Sequence, residues 1–176
     1  MQDQNLESIL EQVGGAVIYE DGTDYATQDD DISLAERNMA LYQAWQGSTM
    51  GRLVGRYLDA QGLPPASIDG YVSTDLNQLS GKQGTVAAII NTGNGQYLAL
   101  NRSSHELNDR AVQYALGHEE VHARGVSSET GVRSLYAPAL WYAAKNAASD
   151  ATGQLAAYLF GHAESARRNG YEMLPA

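Results

Sequence analysis

The sequence predicts an α+β fold in which helices dominate. Three observations carry this expectation. Apolar residues recur at helical spacing through several long segments. Two β-rich runs, "GTVAAII" (84–90) and "QYLALN" (96–101), flank "NTGNG", whose residues favour a hairpin turn. The chain from residue 128 onward is rich in Ala, Leu and Tyr, which suits close helix packing.

From the N-terminus, "NLESILEQV" (5–13) places Leu6, Ile9, Leu10 and Val13 on one helical face, and Gly14-Gly15 ends it. "AVIYE" (16–20) is a short strand. The acidic "DGTDYATQDDD" (21–31) reads as a loop. "SLAERNMALYQAWQ" (33–46) is a helix opened by a Ser33/Glu36 capping box and closed by Gly47. Ser48 opens the next helix, "TMGRLVGRYLDAQ" (49–61), in which Gly51 and Gly55 either weaken the helix or mark close packing. Residues 63–82 are turn-rich and assign to no element. Beyond the hairpin the pattern predicts three helices, over 104–124, 128–148 and 150–168. The first of these starts at a Ser103/Glu106 capping box or slightly later at Asn108, and it ends at Gly125.

A chain of 176 residues is long enough to bury a core and is expected to form one compact domain. Within it, residues 1–83 read as a helical and loop region, a cover or a delivery segment, and 84–176 as the chemical region. Hydrophobic residues at 43% against charged residues at 18% exclude a disordered chain. Apolar runs such as "TVAAII" are too short to span a bilayer. "MQDQNLESILEQ" has neither the basic nor the apolar region of a signal peptide. There is no cysteine, so any metal must be held by His, Asp or Glu. With 21 acidic and 11 basic residues the net charge is -10, which disfavours nucleic acid and anionic membranes as partners.

The chemistry concentrates in "LGHEEVHARG" (116–125), which holds two of the four histidines. On a helix, His118 and His122 lie about 40° apart around the axis and point the same way, so both imidazoles can reach one ion. Glu119 is rotated about 100° from His118. It is poorly placed as a ligand but can reach a water on the ion's open side. Two imidazole ligands and a carboxylate base are what a zinc hydrolase needs: Glu119 takes the water's proton and returns it to the leaving amine. The same letters would also suit the wet face of a surface helix.

His118-Glu119-Glu120-Val121-His122 resembles the HExxH of zincin metallopeptidases. The surrounding layout resembles the zincin-type toxin domains of bacterial polymorphic and contact-dependent inhibition toxins. It consists of a strand with a short polar tail, a helix carrying "LGHE..H" and an Ala-rich helix opening with a Glu. The likeness covers about residues 84–165 and implies a zincin-like domain, bound Zn2+, a protein or peptide substrate and a cognate immunity protein. It also implies release from a larger protein, or delivery by a dedicated system, into a target cell.

A third protein ligand is expected. Glu129 lies seven residues past His122, in the first turn of the next helix, which Ser127 or Ser128 caps. In the metzincin pattern HExxHxxGxxH, Gly125 matches the glycine, but Ser128 fills the ligand position and Glu129 follows it. That departure fits a Glu-zincin with a short connection. Glu164 and His162 are rivals if the chain returns over the site, and Asp150 is more remote. Each has an ordinary alternative: Glu129 compensates a helix dipole, His162 packs, and Glu164 pairs with Arg167 or Arg168.

Tyr114, Tyr136, Tyr142 and Arg133 are candidate donors to an oxyanion. His105 reads as surface or capping. The strand "YLALN" is a candidate edge for pairing with an extended peptide. The function these readings support is zinc-dependent peptide-bond hydrolysis. The alternative is a non-catalytic interaction module with a structural or vestigial metal site.

Overall fold

The computed structural model describes residues 5–147. The helix expected over 150–168 lies outside the described residues, as does the side chain of His105. In chain order the described elements are α1 (Leu6–Val13), β1 (Gly15–Tyr19), β2 (Asp24–Ala26), α2 (Asp29–Gly47), α3 (Thr49–Ala60), β3 (Gly70–Thr74), α4 (Leu76–Ser80), β4 (Ala87–Thr92), β5 (Gly95–Asn101), α5 (Asp109–Ala123) and α6 (Glu129–Asn146). The fold is α+β, as the sequence predicts.

These elements form two compact units that interleave along the chain. Of the described residues, one joins those up to Ala40 with Ser67–Leu107, and the other joins Leu41–Ala66 with those from Asn108 onward. The break expected between residues 83 and 84 falls inside the first unit. Helix α2 supplies residues to both.

The first unit is built on a five-stranded mixed sheet in the order β2-β1-β3-β5-β4. β3 and β5 run parallel, and the other pairs are antiparallel. The expected hairpin is present as β4 and β5, but the strand "YLALN" is not an edge. β3 occupies its other side, in register from Gly70↔Tyr97 to Thr74↔Asn101. β3 comes from the turn-rich stretch that predicted no element. Five residues between turn signals carry too little periodicity to stand out, and the strand's partner lies far along the chain.

Both faces of the sheet are covered. On one, Leu6 and Leu10 of α1 pack with Val17, Val72, Tyr97 and Ala99. On the other, Ala16 and Ile18 meet Ala35, Ile32 and Met39 of α2. Successive side chains of β1 point to opposite faces, so burial on both sides requires the continuous apolar run "AVI".

Helix α2 begins at Asp29, earlier than expected, so Ser33 lies inside the helix rather than at its cap. Asp29, Asp30 and Asp31 crowd its first turn, where the helix dipole favours negative charge. Asp31, almost fully buried, holds Arg102 through two bonds, 2.9 Å from Nε and 3.1 Å from Nη2. Farther along α2, the fully buried Asn38 donates from Nδ2 to the carbonyls of Val72 and Leu98, both at 2.9 Å. One amide thus fastens the helix to two neighbouring strands.

In the second unit α3 starts at Ser48, whose Oγ accepts from the Gly51 amide at 3.0 Å. Gly51 marks close packing: a Cβ there would fall 1.8 Å from the Trp45 carbonyl oxygen. Helix α5 uses the later of its two expected starts, with the Asn108 side chain accepting from the Ala111 amide at 2.8 Å. Residues 102–106 form a separate 3₁₀ turn. Trp45, Leu116, Tyr136 and Leu140 are buried, and the Trp45 and Tyr136 rings meet edge-on at 6.5 Å. No helix among the described residues is long and apolar enough to cross a membrane.

Asn38→Leu leaves the Val72 and Leu98 carbonyls without their side-chain donor. It should cost about 1–3 kcal/mol in urea unfolding. A loss within experimental error would mean that these bonds do not hold α2 to the sheet.

Candidate metal centre

Helix α5 is buried all round from Ala111 to Gly117 and opens one face only afterwards. On that face His118, Glu119 and His122 are partly buried. Their ligand-type atoms lie within 4.8 Å of one another. The two imidazole rings stand 5.3 Å apart, as the spacing of four residues requires.

Gly117 precedes the first histidine because nothing larger fits. A Cβ there would lie 2.3 Å from the Tyr136 hydroxyl and 3.0 Å from the Trp45 ring. Tyr136 fills that space, donates its hydroxyl to the Tyr114 carbonyl at 3.0 Å and sets its ring edge-on to His118 at 6.1 Å. The first histidine therefore stands against an aromatic wall.

The turn after α5 delivers the rest. Arg124 caps the helix, and Gly125 reverses the chain at φ 110°, which a side chain would oppose. Val126 is thereby placed so that His122 donates from Nδ1 to its carbonyl at 2.7 Å. Ser128 caps α6 by accepting from the Gly131 amide at 3.0 Å, which puts Glu129 in the first turn. Its carboxylate spans both histidines: Oε2 is 3.0 Å from His118 Nε2, and Oε1 is 2.9 Å from His122 Nε2.

This arrangement constrains the chemistry. A carbonyl oxygen only accepts, so Nδ1 of His122 carries a proton. In the neutral ring Nε2 then holds a lone pair, and it faces a carboxylate oxygen at 2.9 Å. Two acceptors so close repel unless a proton or a cation lies between them. A second-sphere carbonyl that turns Nε2 inward is the usual support of a metal-binding histidine. Two imidazoles and a carboxylate are also a donor set that zinc accepts. The residues present fit the ion.

Without a cation the charges adjust in the same sense. Hydrogen bonds from His118 and then His122 hold the Glu129 carboxyl well below the usual range. The bond to Glu129 raises His122. Burial pushes Glu119 up to about 8, with His122 opposing and Glu129 adding to the shift. A cation beside the histidines would favour the Glu119 carboxylate and bring it back towards ionisation at neutral pH.

The sequence-predicted residues thus divide. His118, Glu119, His122 and Glu129 come together. Tyr136 is not an oxyanion donor: it is buried, and its hydroxyl is committed to a backbone carbonyl. Tyr114 is buried as well, and burial raises its phenol while the charge of Arg133 opposes the shift. Tyr142 packs against Tyr57 at 5.7 Å. Asp150, His162 and Glu164 lie outside the described residues. The sequence reading missed the Val126 carbonyl and the buried Glu120. The carbonyl leaves no mark in side-chain letters, and Glu120 resembles any surface acid of a helix.

The metal-free protein should show a specific pH dependence. Glu129, lowered, contributes stability above its unfolded value of about 4.3 and loses it on acidification. His122, raised, contributes fully below about 6.5 and loses this as pH rises. Glu119 keeps its proton to about 8 when folded, whereas the unfolded chain releases it earlier, so stability falls across that interval. With chelator present, the thermal midpoint should peak at about pH 4.3 and decline towards about pH 8.5, and Glu119→Gln should flatten the decline. A midpoint flat over that range would contradict these charges.

Comparison of the chain with protein-family models, with curated proteins and with solved structures gives no match, and what the centre does is read from its own residues.

Proposed function

We propose that this chain is a zinc-dependent metallopeptidase of zincin type. His118, His122 and Glu129 hold the metal, and Glu119 is general base and then general acid. One observation carries the reading: the Glu129 carboxylate faces both Nε2 atoms at 3.0 and 2.9 Å, while His122 Nδ1 is committed to Val126.

When bound, zinc supplies the Lewis acidity that makes water a nucleophile at neutral pH. A Glu119 carboxylate oxygen lies within 4.8 Å of a ring nitrogen of His118 and of His122, without a hydrogen bond to either, so it would be in reach of a water on a metal held there. It accepts the proton of the attacking water and hands it to the departing amine. Tyr136 and Gly117 keep the His118 ring in place during the exchange. The substrate is a peptide bond, in a protein or in cell-wall peptide. The setting we propose is a bacterial toxin or effector domain, delivered into a target cell as part of a larger protein or by a dedicated system. A cognate immunity protein protects the producer. The order of α5 with "LGHE..H" followed by α6 opening on Glu129 supports that setting.

The test is Glu119→Gln against wild type, with zinc content and cleavage of a quenched-fluorescent peptide library measured on the same preparations. The expected result is zinc retained in both and cleavage lowered by about 10²–10⁴-fold in the variant. Equal cleavage by the two proteins would remove Glu119 from the chemistry. Zinc that alters the melting temperature, with no peptide cut by wild type, would favour a non-catalytic module built around a structural metal.

A further inference from the structure

Glu120 lies between the motif residues but faces the other way. Two positions from each histidine on a helix, it is rotated about 160° from both. It is 4% exposed. Its Oε1 accepts from the Tyr42 hydroxyl at 2.8 Å, and Gln46 Nε2 donates to the same hydroxyl at 3.2 Å. Its Oε2 is 3.8 Å from Arg124 Nε. Arg124 in turn donates from Nη1 to Asp59 at 2.8 Å and to the Leu63 carbonyl at 3.3 Å.

We propose that Glu120 is a positioning residue: through Tyr42 and Arg124 it fixes the roll of α5, so that His118 and His122 meet Glu129 and His122 meets Val126. The inference rests on the metal reading for its zinc measurement only.

The physical reason lies in leverage. Apolar side chains in place of both Glu120 and Arg124 would bury at no greater cost, because a buried ion pair adds little net stability. Apolar packing, however, tolerates small rotations of a helix. An imidazole about 6 Å from the axis moves by about 1 Å for a roll of about 10°. That displacement is enough to spoil a ligand set. Directed bonds on the far face of α5, to residues of α2 and α3, oppose it. Arg124 adds a second hold at the C-terminus of the helix, immediately before the turn that carries Val126 and Glu129.

The variants are Glu120→Leu, Glu120→Gln and Tyr42→Phe. Three quantities are measured on each: the thermal midpoint, the His122 tautomer in chelator-treated protein from long-range proton–nitrogen spectra of the neutral ring, and zinc affinity by competition with a chelating dye. Glu120→Leu should stay folded with a lowered midpoint, because the Tyr42 hydroxyl and the Arg124 guanidinium lose a buried partner. It should lose the single Nδ1–H tautomer of His122, and zinc affinity should drop about 10- to 100-fold. Glu120→Gln, which still accepts from Tyr42, should keep most of both. If Glu120→Leu does not fold, Tyr42→Phe decides by the same readings, with a smaller change in each. A folded Glu120→Leu, or Tyr42→Phe in its place, with an unaltered tautomer and zinc affinity would overturn the proposal. Zinc affinity that merely tracks the midpoint, without rescue by Gln, would overturn it as well. A wild type that binds no zinc would sink the metal reading, while the tautomer spectra would still decide the role of Glu120.

Discussion

The centre turns on one confrontation: the Glu129 carboxylate against two imidazole nitrogens, 3.0 and 2.9 Å away, with the far side of one ring already bonded. Because His122 spends its Nδ1 proton on Val126, its Nε2 has nothing to offer a carboxylate except a lone pair or an added charge. A cation resolves the conflict at His122 and can take the Nε2 lone pair of His118 as well. A second proton would resolve it for His122 in the absence of a cation, which is why that group is raised, while the bonds from His118 and then His122 lower Glu129. The local geometry around α5 can be understood as what is needed to hold these three side chains on one spot.

Much of this was legible in the sequence, for a simple reason. A helix repeats every 3.6 residues, so His118, Glu119 and His122 follow from their spacing once the helix is granted. Glu129 was legible through punctuation: Gly125 for the reversal and Ser128 for the new cap. The alternatives His162 and Glu164 fall outside the described residues. What escaped was the interior. The burial of Glu120 and the service of Tyr136 as a wall depend on which helices pack together, and no local pattern encodes that. The backbone carbonyl of Val126 was equally silent.

The sheet shows the same division. The hairpin of β4 and β5 announced itself through its turn residues, because an antiparallel pair is closed locally. β3 did not, since a five-residue strand pairing in parallel with a distant partner has no turn to mark it. Its insertion beside β5 turned an expected edge into an interior strand. The early start of α2 was hidden by three aspartates that read as loop but serve the helix N-terminus. In both units buried polar side chains, Asn38 in one and Glu120 in the other, do what apolar contacts cannot: they fix an orientation as well as a distance.

The most direct measurement is X-ray absorption at the zinc edge on wild-type protein loaded with one equivalent of the metal and freed of excess. A first shell with two imidazole nitrogens and one carboxylate oxygen, at about 2.0–2.2 Å, is the result the account predicts. The imidazole signal should fall by half in His118→Ala. A shell of oxygens alone, or a protein that keeps no zinc, would contradict it and leave the two histidines and Glu129 as an ion pair on the face of a helix.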